Sequence, residues 1–373
     1  MNGSPPSKDC CPDAAMRIFY ASDSTPNSEL ASNLWRANLH DSLVALRHEV
    51  IEFRYDLAET FRHLDASRPE HAAFIAENRP RLGRALMEQI RAEHSAKPID
   101  VFFSYFYDAC VEPAVLDEIR ALGITSVNWY CNASYQLHLV REIAPHYDWC
   151  LVPERFRLED YRALGAHPIY CQEAANPRIY APCDAPIEFD VAFAGQSYAD
   201  RSDMVLWLRS EGVDVRVWGP RWEYHVAPRS RNPLKRLFSK PSGLPTGVVG
   251  GVLTDRALVE LYSRARIHLG FAAVGENREG AERITQVRLR DFEATMSGAF
   301  YLAEHSEELT EFFTPGVEIE TWRTREELRD KCRFYLANDD ARRRIAEAGR
   351  ARALREHTWE HRFSAAFHAM GLE

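Results

Sequence analysis

The chain reads as an α/β protein with two parallel sheets, and three observations predict it. Short apolar runs of strand length alternate with amphipathic stretches of helical length throughout, as in parallel sheets covered on both faces. The alternation breaks at Asn176–Ile187 (NPRIYAPCDAPI), which carries three Pro and no periodicity, the composition of an inter-domain linker. The length, 373 residues, suits two domains of ordinary size.

The first half predicts strands at Met16–Ala21, Glu49–Phe53, Asp100–Tyr105, Ser126–Tyr130, Trp149–Val152 and Pro168–Cys171. Helices are predicted from about Glu29 to Arg47, over Pro69–Ala96 and over Pro113–Leu122. The second half restarts with a strand at Phe189–Ala194, a helix from about Asp200 to Glu211 and a strand at Val213–Trp218. A helix follows at Thr254–Arg264, a strand at Ile267–Phe271, a helix at Arg288–Ser297 and a strand at Ala299–Leu302. Helices at about Thr324–Asn338 and Asp340–Glu356 precede a last amphipathic piece, Trp359–Met370. The domains expected are a disordered tail (1–15), an N-terminal domain (16–175), the linker (176–187), a C-terminal domain (188–356) and a terminal helix (357–373). Trp359, Phe363, Phe367 and Met370 give that helix one apolar face, expected to pack back on the N-terminal domain.

Composition excludes several classes. Hydrophobic residues make up 46% and charged residues 27%, so the chain is neither disordered nor fibrous. No apolar run approaches the roughly 18–20 residues of a membrane span, and MNGSPPSKDCCPDAA has no apolar signal-peptide core. A net charge of −9 argues against duplex nucleic acid or an anionic membrane as partner of the whole molecule. Eight Cys, at 10, 11, 110, 131, 150, 171, 183 and 332, show no zinc-type pairing. They read as thiols of a reducing cytoplasm, which leaves the Asn132-Ala133-Ser134 sequon without meaning. Only five of 46 basic residues are Lys, so anion-binding positions are expected to be Arg. The stretch Val226–Gly250 sets Arg229, Arg231, Lys235, Arg236 and Lys240 around Leu234, Leu237 and Phe238. It reads either as a solvated loop or as a basic amphipathic insert touching a membrane surface or an anionic acceptor.

Three motifs bear on chemistry. Val191–Ser197 runs a strand into a turn at Gly195, with Ser197 close by and Arg201 opening the next helix. Glycine lets a phosphate approach the backbone, and helix N-termini favour anions; an ordinary βα turn is the competing reading. Trp218-Gly219-Pro220-Arg221-Trp222 ends the next strand, where open parallel sheets bind ligands. It suits a nucleotide base or a simple hydrophobic lid. The richest segment is Arg283–Ala299, after a loop with Gly275, Glu276, Gly280 and Glu282. There Gln286, Arg288, Arg290 and Glu293 are candidates for a diphosphate and a ribose, against a plain i,i+3 surface pair of Arg290 with Glu293. No Asp-x-Asp, phosphate-binding P-loop, GxSxG or His cluster occurs, so metal-dependent, P-loop and serine-triad chemistries are not expected.

The segment Leu258–Phe363 resembles the C-terminal glycosyltransferase domain of the CgeB-like (spore maturation protein-like) family of the GT-B superfamily. The resemblance is carried by LVELYSRARIHLGF, by RLRDFEATMSGAFYLAEHSEELTEFFTPGVEIETW and by AEAGRARALREHTWEHRF. The N-terminal half fits more loosely through Trp129, Tyr147-Asp148, Tyr161…Gly165 and Ala174-Ala175-Asn176. The resemblance implies a GT-B fold: two facing Rossmann-like domains with parallel sheets and a C-terminal crossover helix. The nucleotide-sugar donor then sits mainly on the C-terminal domain and the acceptor on the N-terminal one. Glu293 matches the ribose-binding glutamate and Arg290 the basic residue before it. Retaining relatives carry another Glu eight positions earlier, where this chain has Thr285, which leaves the anomeric outcome open.

The expected function is therefore metal-independent, hexosyltransferase-type transfer from a nucleoside-diphosphate sugar. UDP- or dTDP-sugars are the default donors, with no further cofactor. The alternatives are a nucleotide-sugar epimerase or hydrolase on the same scaffold, or a non-catalytic nucleotide-sugar-binding protein. The acceptor stays open among protein, glycan, lipid-linked sugar, small molecule and modified DNA base. Donor candidates are Gly195, Ser197, Arg201, Trp218, Gly219, Gln286, Arg288, Arg290 and Glu293. For a catalytic base, Asp23 after the first strand comes first and Asp108 after the third comes second; turn or helix-cap carboxylates are the competing reading for both.

Overall fold

A computed structural model describes residues 15–23, 34–62, 64–226, 243–274 and 283–372. The cysteines at 10 and 11, the basic residues of the 226–250 stretch, and Gly275, Glu276, Gly280 and Glu282 lie outside the described residues.

The first sheet has six parallel strands: β1 (Arg17–Ala21), β2 (Glu49–Glu52), β3 (Val101–Ser104), β4 (Thr125–Trp129), β5 (Trp149–Val152) and β6 (Pro168–Tyr170), in the order β2-β1-β3-β4-β5-β6. Its central strands are rich in apolar residues because helices cover both faces; every residue of β1 and β3 is buried. Phe19 pairs in register with Phe102, and Phe103 with Val127. The helix Pro69–Ala96 opens on a proline, whose missing N–H has no role in a first turn. It buries Leu82, Leu86 and Ile90, one residue per turn, in the core of this domain.

The second sheet has five parallel strands: β7 (Phe189–Ala194), β8 (Val215–Trp218), β9 (Ala265–Gly270), β10 (Tyr301–Glu304) and β11 (Glu320–Trp322), in the order β11-β10-β9-β7-β8. Counted from each domain's first strand, the two sheets share one order over their first five strands. Each reverses direction beside its first strand, between β1 and β3 or between β7 and β9. Two departures from the sequence expectation stand out. The strand expected at Ala299–Leu302 begins at Tyr301, and β11 was not anticipated. β11 has only three residues, too few to show a period, and is defined by its pairing to β10.

The last helix, Trp359–Met370, starts on Thr358, whose hydroxyl accepts the His361 N–H, and stops at Gly371 in a left-handed conformation. Trp359, Phe363 and Phe367 all belong to the core of the first domain. Trp359 meets Trp129 edge-on at 5.3 Å between ring centroids, Phe363 meets Phe103 at 5.4 Å, and Phe367 meets His48 at 5.5 Å. Truncating Phe363 to Ala is expected to cost the first domain about 3–5 kcal/mol, the range for emptying a buried aromatic site. Urea unfolding followed by Trp fluorescence reads this, and an unchanged midpoint would contradict the packing.

Buried carboxyls set the acid–base behaviour of the same domain. Glu154 is 2% exposed, accepts the Ser134 N–H at 3.1 Å, and burial pushes its carboxyl up to about 8. The folded chain thus keeps a proton that the unfolded chain releases near pH 4. Protons bound in the native state exceed those in the unfolded state between about pH 4 and 8, so stability falls as pH rises through that window. The urea midpoint is expected to be lower at pH 8 than at pH 5. The drop is expected to shrink in Glu154→Gln, which keeps the acceptor for Ser134 and does not titrate.

Candidate functional site

A cleft of about 390 Å³ opens between the two sheets. Its lining comes from the residues that follow strand ends: Asp23 after β1, Tyr105 after β3, Cys131 after β4, Glu173 after β6, Gly195 after β7 and Phe271 after β9. These surround the two points where strand order reverses, the place in open α/β sheets where loops splay apart and leave a crevice.

The C-terminal wall is cationic. Arg201 opens the helix Arg201–Ser210 and is 5% exposed. It donates to the carbonyl of Gln196 at 2.9 Å and to the Tyr198 hydroxyl at 2.8 Å, with its guanidinium 3.8 Å from the Tyr198 ring centroid. Burial drives its pKa down to about 10, and neighbouring Arg288 adds to the shift; it is still a cation at neutral pH. Arg288 donates to the same Tyr198 hydroxyl and, at 2.7 Å, to the carbonyl of Ala273. Two guanidiniums therefore converge on one phenol oxygen. Among the described residues neither has a carboxylate within ion-pair distance, and the Nε of each is buried without a hydrogen-bond partner. Gln286 beside them likewise leaves Oε1 unbonded.

Local sequence explains why these groups meet. Residues 272–274 pair with 284–286 through the Gln286 N–H to the Ala272 carbonyl at 3.1 Å and the Val274 N–H to the Ile284 carbonyl at 2.9 Å. That ladder carries Arg288 to the mouth of β9. The carboxylate of Asp291 accepts the Arg288 N–H at 2.8 Å and starts the helix Leu289–Met296.

Glu293 sits on that helix with no exposed surface. Its Oε2 binds Arg290, whose side chain reaches the cleft, and its Oε1 has no partner. Glu293 is thus not part of the cleft surface, where the sequence expectation put it beside a ribose. The short helix is buried from Asp291 to Met296, and Arg290 covers the carboxyl group.

The remaining donor candidates divide. Gly195 lines the cleft, but its N–H goes to the Trp218 carbonyl at 2.8 Å, and the Ser197 N–H goes to the Pro220 carbonyl at 3.0 Å. Those amides brace the β8 loop and are spent. Ser197 is 6% exposed and lies outside the lining. Gly219 has φ +129°, and a Cβ there would lie 2.4 Å from the Gly195 carbonyl oxygen. Only glycine allows both the conformation and the approach. Trp218 and Gly219 line an adjoining pocket of about 100 Å³ with Pro220, Val252 and Leu253, and Arg290 faces both spaces.

Asp23 lines the cleft and Asp108 does not. Asp108 accepts the backbone N–H groups of Glu142 and Ile143, each at 3.1 Å, and burial outweighs these bonds to push its carboxyl up to about 7. It braces a turn, a common use of Asp. Glu173 went unnoticed in the sequence because it follows a three-residue strand and belongs to no pattern. The structure buries it to 6% exposure in the cleft wall, with its carboxyl pushed up to about 8 by burial against the pull of Arg288. Among the described residues no group of three or more His, Cys, Asp or Glu is arranged to hold a metal ion, and no helix is long and apolar enough to cross a membrane.

Residues 201–368 match a protein family described as glycosyl transferase-like. No curated protein matches the chain in sequence. Solved structures match it over nearly its whole length at low identity. Sucrose-phosphate synthase from Thermosynechococcus elongatus is 14% identical with a TM-score of 0.62, covering 96% of this chain and 99% of that one. Anabaena HepE in complex with UDP-glucose is 11% identical with a TM-score of 0.60, covering 95% and 99%. An α-glucosyltransferase in complex with UDP and a 13-mer DNA containing an HMU base is 11% identical with a TM-score of 0.58, covering 95% and 99%. This chain has the GT-B fold: two Rossmann-like domains with parallel sheets and a C-terminal helix.

Proposed function

We propose that the protein is a glycosyltransferase, of the CgeB-like branch that residues 258–363 resemble, moving a sugar from a nucleoside-diphosphate sugar to an acceptor hydroxyl. The observation that carries this reading is the pair Arg201 and Arg288 on one phenol oxygen, two cations without a carboxylate counter-ion among the described residues. A diphosphate supplies the missing charge, and guanidiniums match its oxygens with paired N–H donors. In Anabaena HepE and in the DNA-bound α-glucosyltransferase the bound group is UDP-glucose or UDP, which makes a uridine donor the first choice here and a thymidine donor the second. The adjoining pocket at Trp218, Gly219 and Leu253 is large and apolar enough to take the base edge-on.

As the bond from the sugar's anomeric carbon to the diphosphate oxygen breaks, negative charge grows on the leaving group. Arg201, Arg288 and Arg290 stabilise that charge from fixed positions. Arg290 turns toward the diphosphate and uncovers the unbonded Oε1 of Glu293, which then accepts a ribose hydroxyl. The acceptor oxygen attacks the anomeric carbon, and Asp23, on the opposite wall, takes its proton when configuration inverts.

Calorimetry with UDP in the presence of EDTA tests the donor site directly. Binding is expected without metal, and Arg288→Ala is expected to weaken it by about 1.5–3 kcal/mol, the range for hydrogen bonds to charged groups. A folded Glu293→Ala protein with undiminished UDP affinity would remove Glu293 from the donor site. Product analysis with a UDP-sugar separates transfer from hydrolysis or epimerisation. Asp23→Asn keeps shape and removes basicity, so kcat is expected to fall about 10²–10⁴-fold at unchanged donor affinity. Activity within a few-fold of wild type would leave Asp23 a turn residue.

A further inference from the structure

Resting on the transferase reading, we infer that the N-terminal wall of the cleft is a subsite for an uncharged, ring-bearing alcohol, with Glu173 hydrogen-bonding the acceptor hydroxyl. The two walls differ in chemistry. Opposite the arginines stand Trp35, Phe61, Tyr105 and Tyr135, together with Asp23 and Glu173. No Lys, Arg or His belongs to this wall among the described lining residues. A phosphorylated or nucleic-acid acceptor needs basic partners, and here it would face two carboxyl groups.

The rings form one surface. Trp35 meets Tyr105 at 5.4 Å and Phe61 meets Tyr105 at 5.6 Å, both edge-on, so ring faces and edges remain for a ligand. Tyr135 is 41% exposed at the rim. Aromatic surfaces of this kind hold planar rings and the C–H faces of sugars and discriminate little among their substituents. Orientation then falls to a few polar groups. Glu173 is the buried one: nothing among the described residues hydrogen-bonds its carboxyl oxygens, while its backbone N–H is bonded to Gln172 and its carbonyl to Arg362. Its carboxyl, raised to about 8 by burial, carries its proton at neutral pH, so it both donates to and accepts from an alcohol and calls for no cationic partner.

The test uses the full chain with saturating UDP and three matched probes: 4-methoxybenzyl alcohol, 4-methoxybenzoate and 4-methoxybenzylamine. Affinities are read by ligand-observed NMR at millimolar concentrations. The alcohol is expected to bind about tenfold more tightly than either charged probe: the benzoate meets two carboxyl groups, and the ammonium must shed its water beside a protonated Glu173 within the field of Arg288. Tyr135→Ala, at an exposed position that tolerates truncation, is expected to weaken the alcohol about three- to tenfold. Alcohol affinity is expected to fall as pH rises through about 8 in the wild type and to stay flat in Glu173→Gln, because the dry, ligand-filled site favours the neutral acid. A merely structural Glu173 would leave that pH dependence in place. The inference is overturned if a charged probe binds as well as the alcohol, if the alcohol does not bind, if Tyr135→Ala changes nothing, or if Glu173→Gln keeps the pH dependence. Loss of UDP binding in calorimetry speaks against the transferase reading instead, so the two failures are told apart.

Discussion

The double crossing of the chain between its two domains is the constraint on which the cleft depends. The chain leaves the first domain at Ala175 and returns to it at Trp359. The two crossings touch: the Ala175 N–H bonds the His357 carbonyl at 3.1 Å, and Ala175 bridges Thr358 in parallel. Three aromatic side chains of the last helix then lock into the first domain's core. Further ties span the same seam, from Tyr170 to Glu308 at 2.6 Å and from Arg178 to Glu360 at 2.5 Å. Surface ion pairs contribute little by themselves, so the buried rings carry most of this attachment. The mouths of β1 and β7 face each other because of it.

Across the cleft thus held, charge is divided by domain. The second domain contributes the cations Arg201, Arg288 and Arg290, and the first contributes Asp23 and the protonated Glu173. This division polarises the space, with a field that favours an anion on one side and a neutral or proton-releasing group on the other. In a partly desolvated crevice such fixed charges act more strongly than they would in water. The arrangement also explains why a chain of net charge −9 need not repel an anionic donor: the local potential is set by the nearest groups.

Fixing the arginines is itself a structural task, and two devices achieve it. Arg201 and Arg288 are held through the one hydroxyl of Tyr198 and through backbone carbonyls, which orient guanidiniums without neutralising them. Arg290 is held by Glu293 beneath it. Behind them the loops after β7 and β8 press together so closely that Gly219 admits no side chain, and Trp222 donates its ring N–H to the Gly195 carbonyl at 2.7 Å. The amides of the turn at Gly195–Ser197 brace the wall from which Arg201 projects.

How much of this was legible in the sequence follows from the range of the interactions involved. Periodicity and breakers are local, so Pro69–Ala96, Trp149–Val152 and Trp359–Met370 are visible in the residues themselves, as are the parallel, two-domain character and the cluster of Gln286, Arg288 and Arg290. Burial of individual polar groups is not local. Asp108 reads like Asp23, each a carboxylate after an apolar strand, and only the path of residues 140–143 turns Asp108 into a brace. Glu293 follows Arg290 by three positions whether that helix face looks outward or inward, and tertiary packing turned it inward. Glu173 has no neighbour in sequence that marks it. Trp35, Phe61, Tyr105 and Tyr135 come from four separate segments, each apolar enough to pass for core. Local sequence therefore determined which elements form, because backbone preference and hydrophobic period act over a few residues. Only the tertiary structure decided which side chains share the cleft, because that depends on strand order and on the return of the last helix, both set by contacts between residues far apart in the chain.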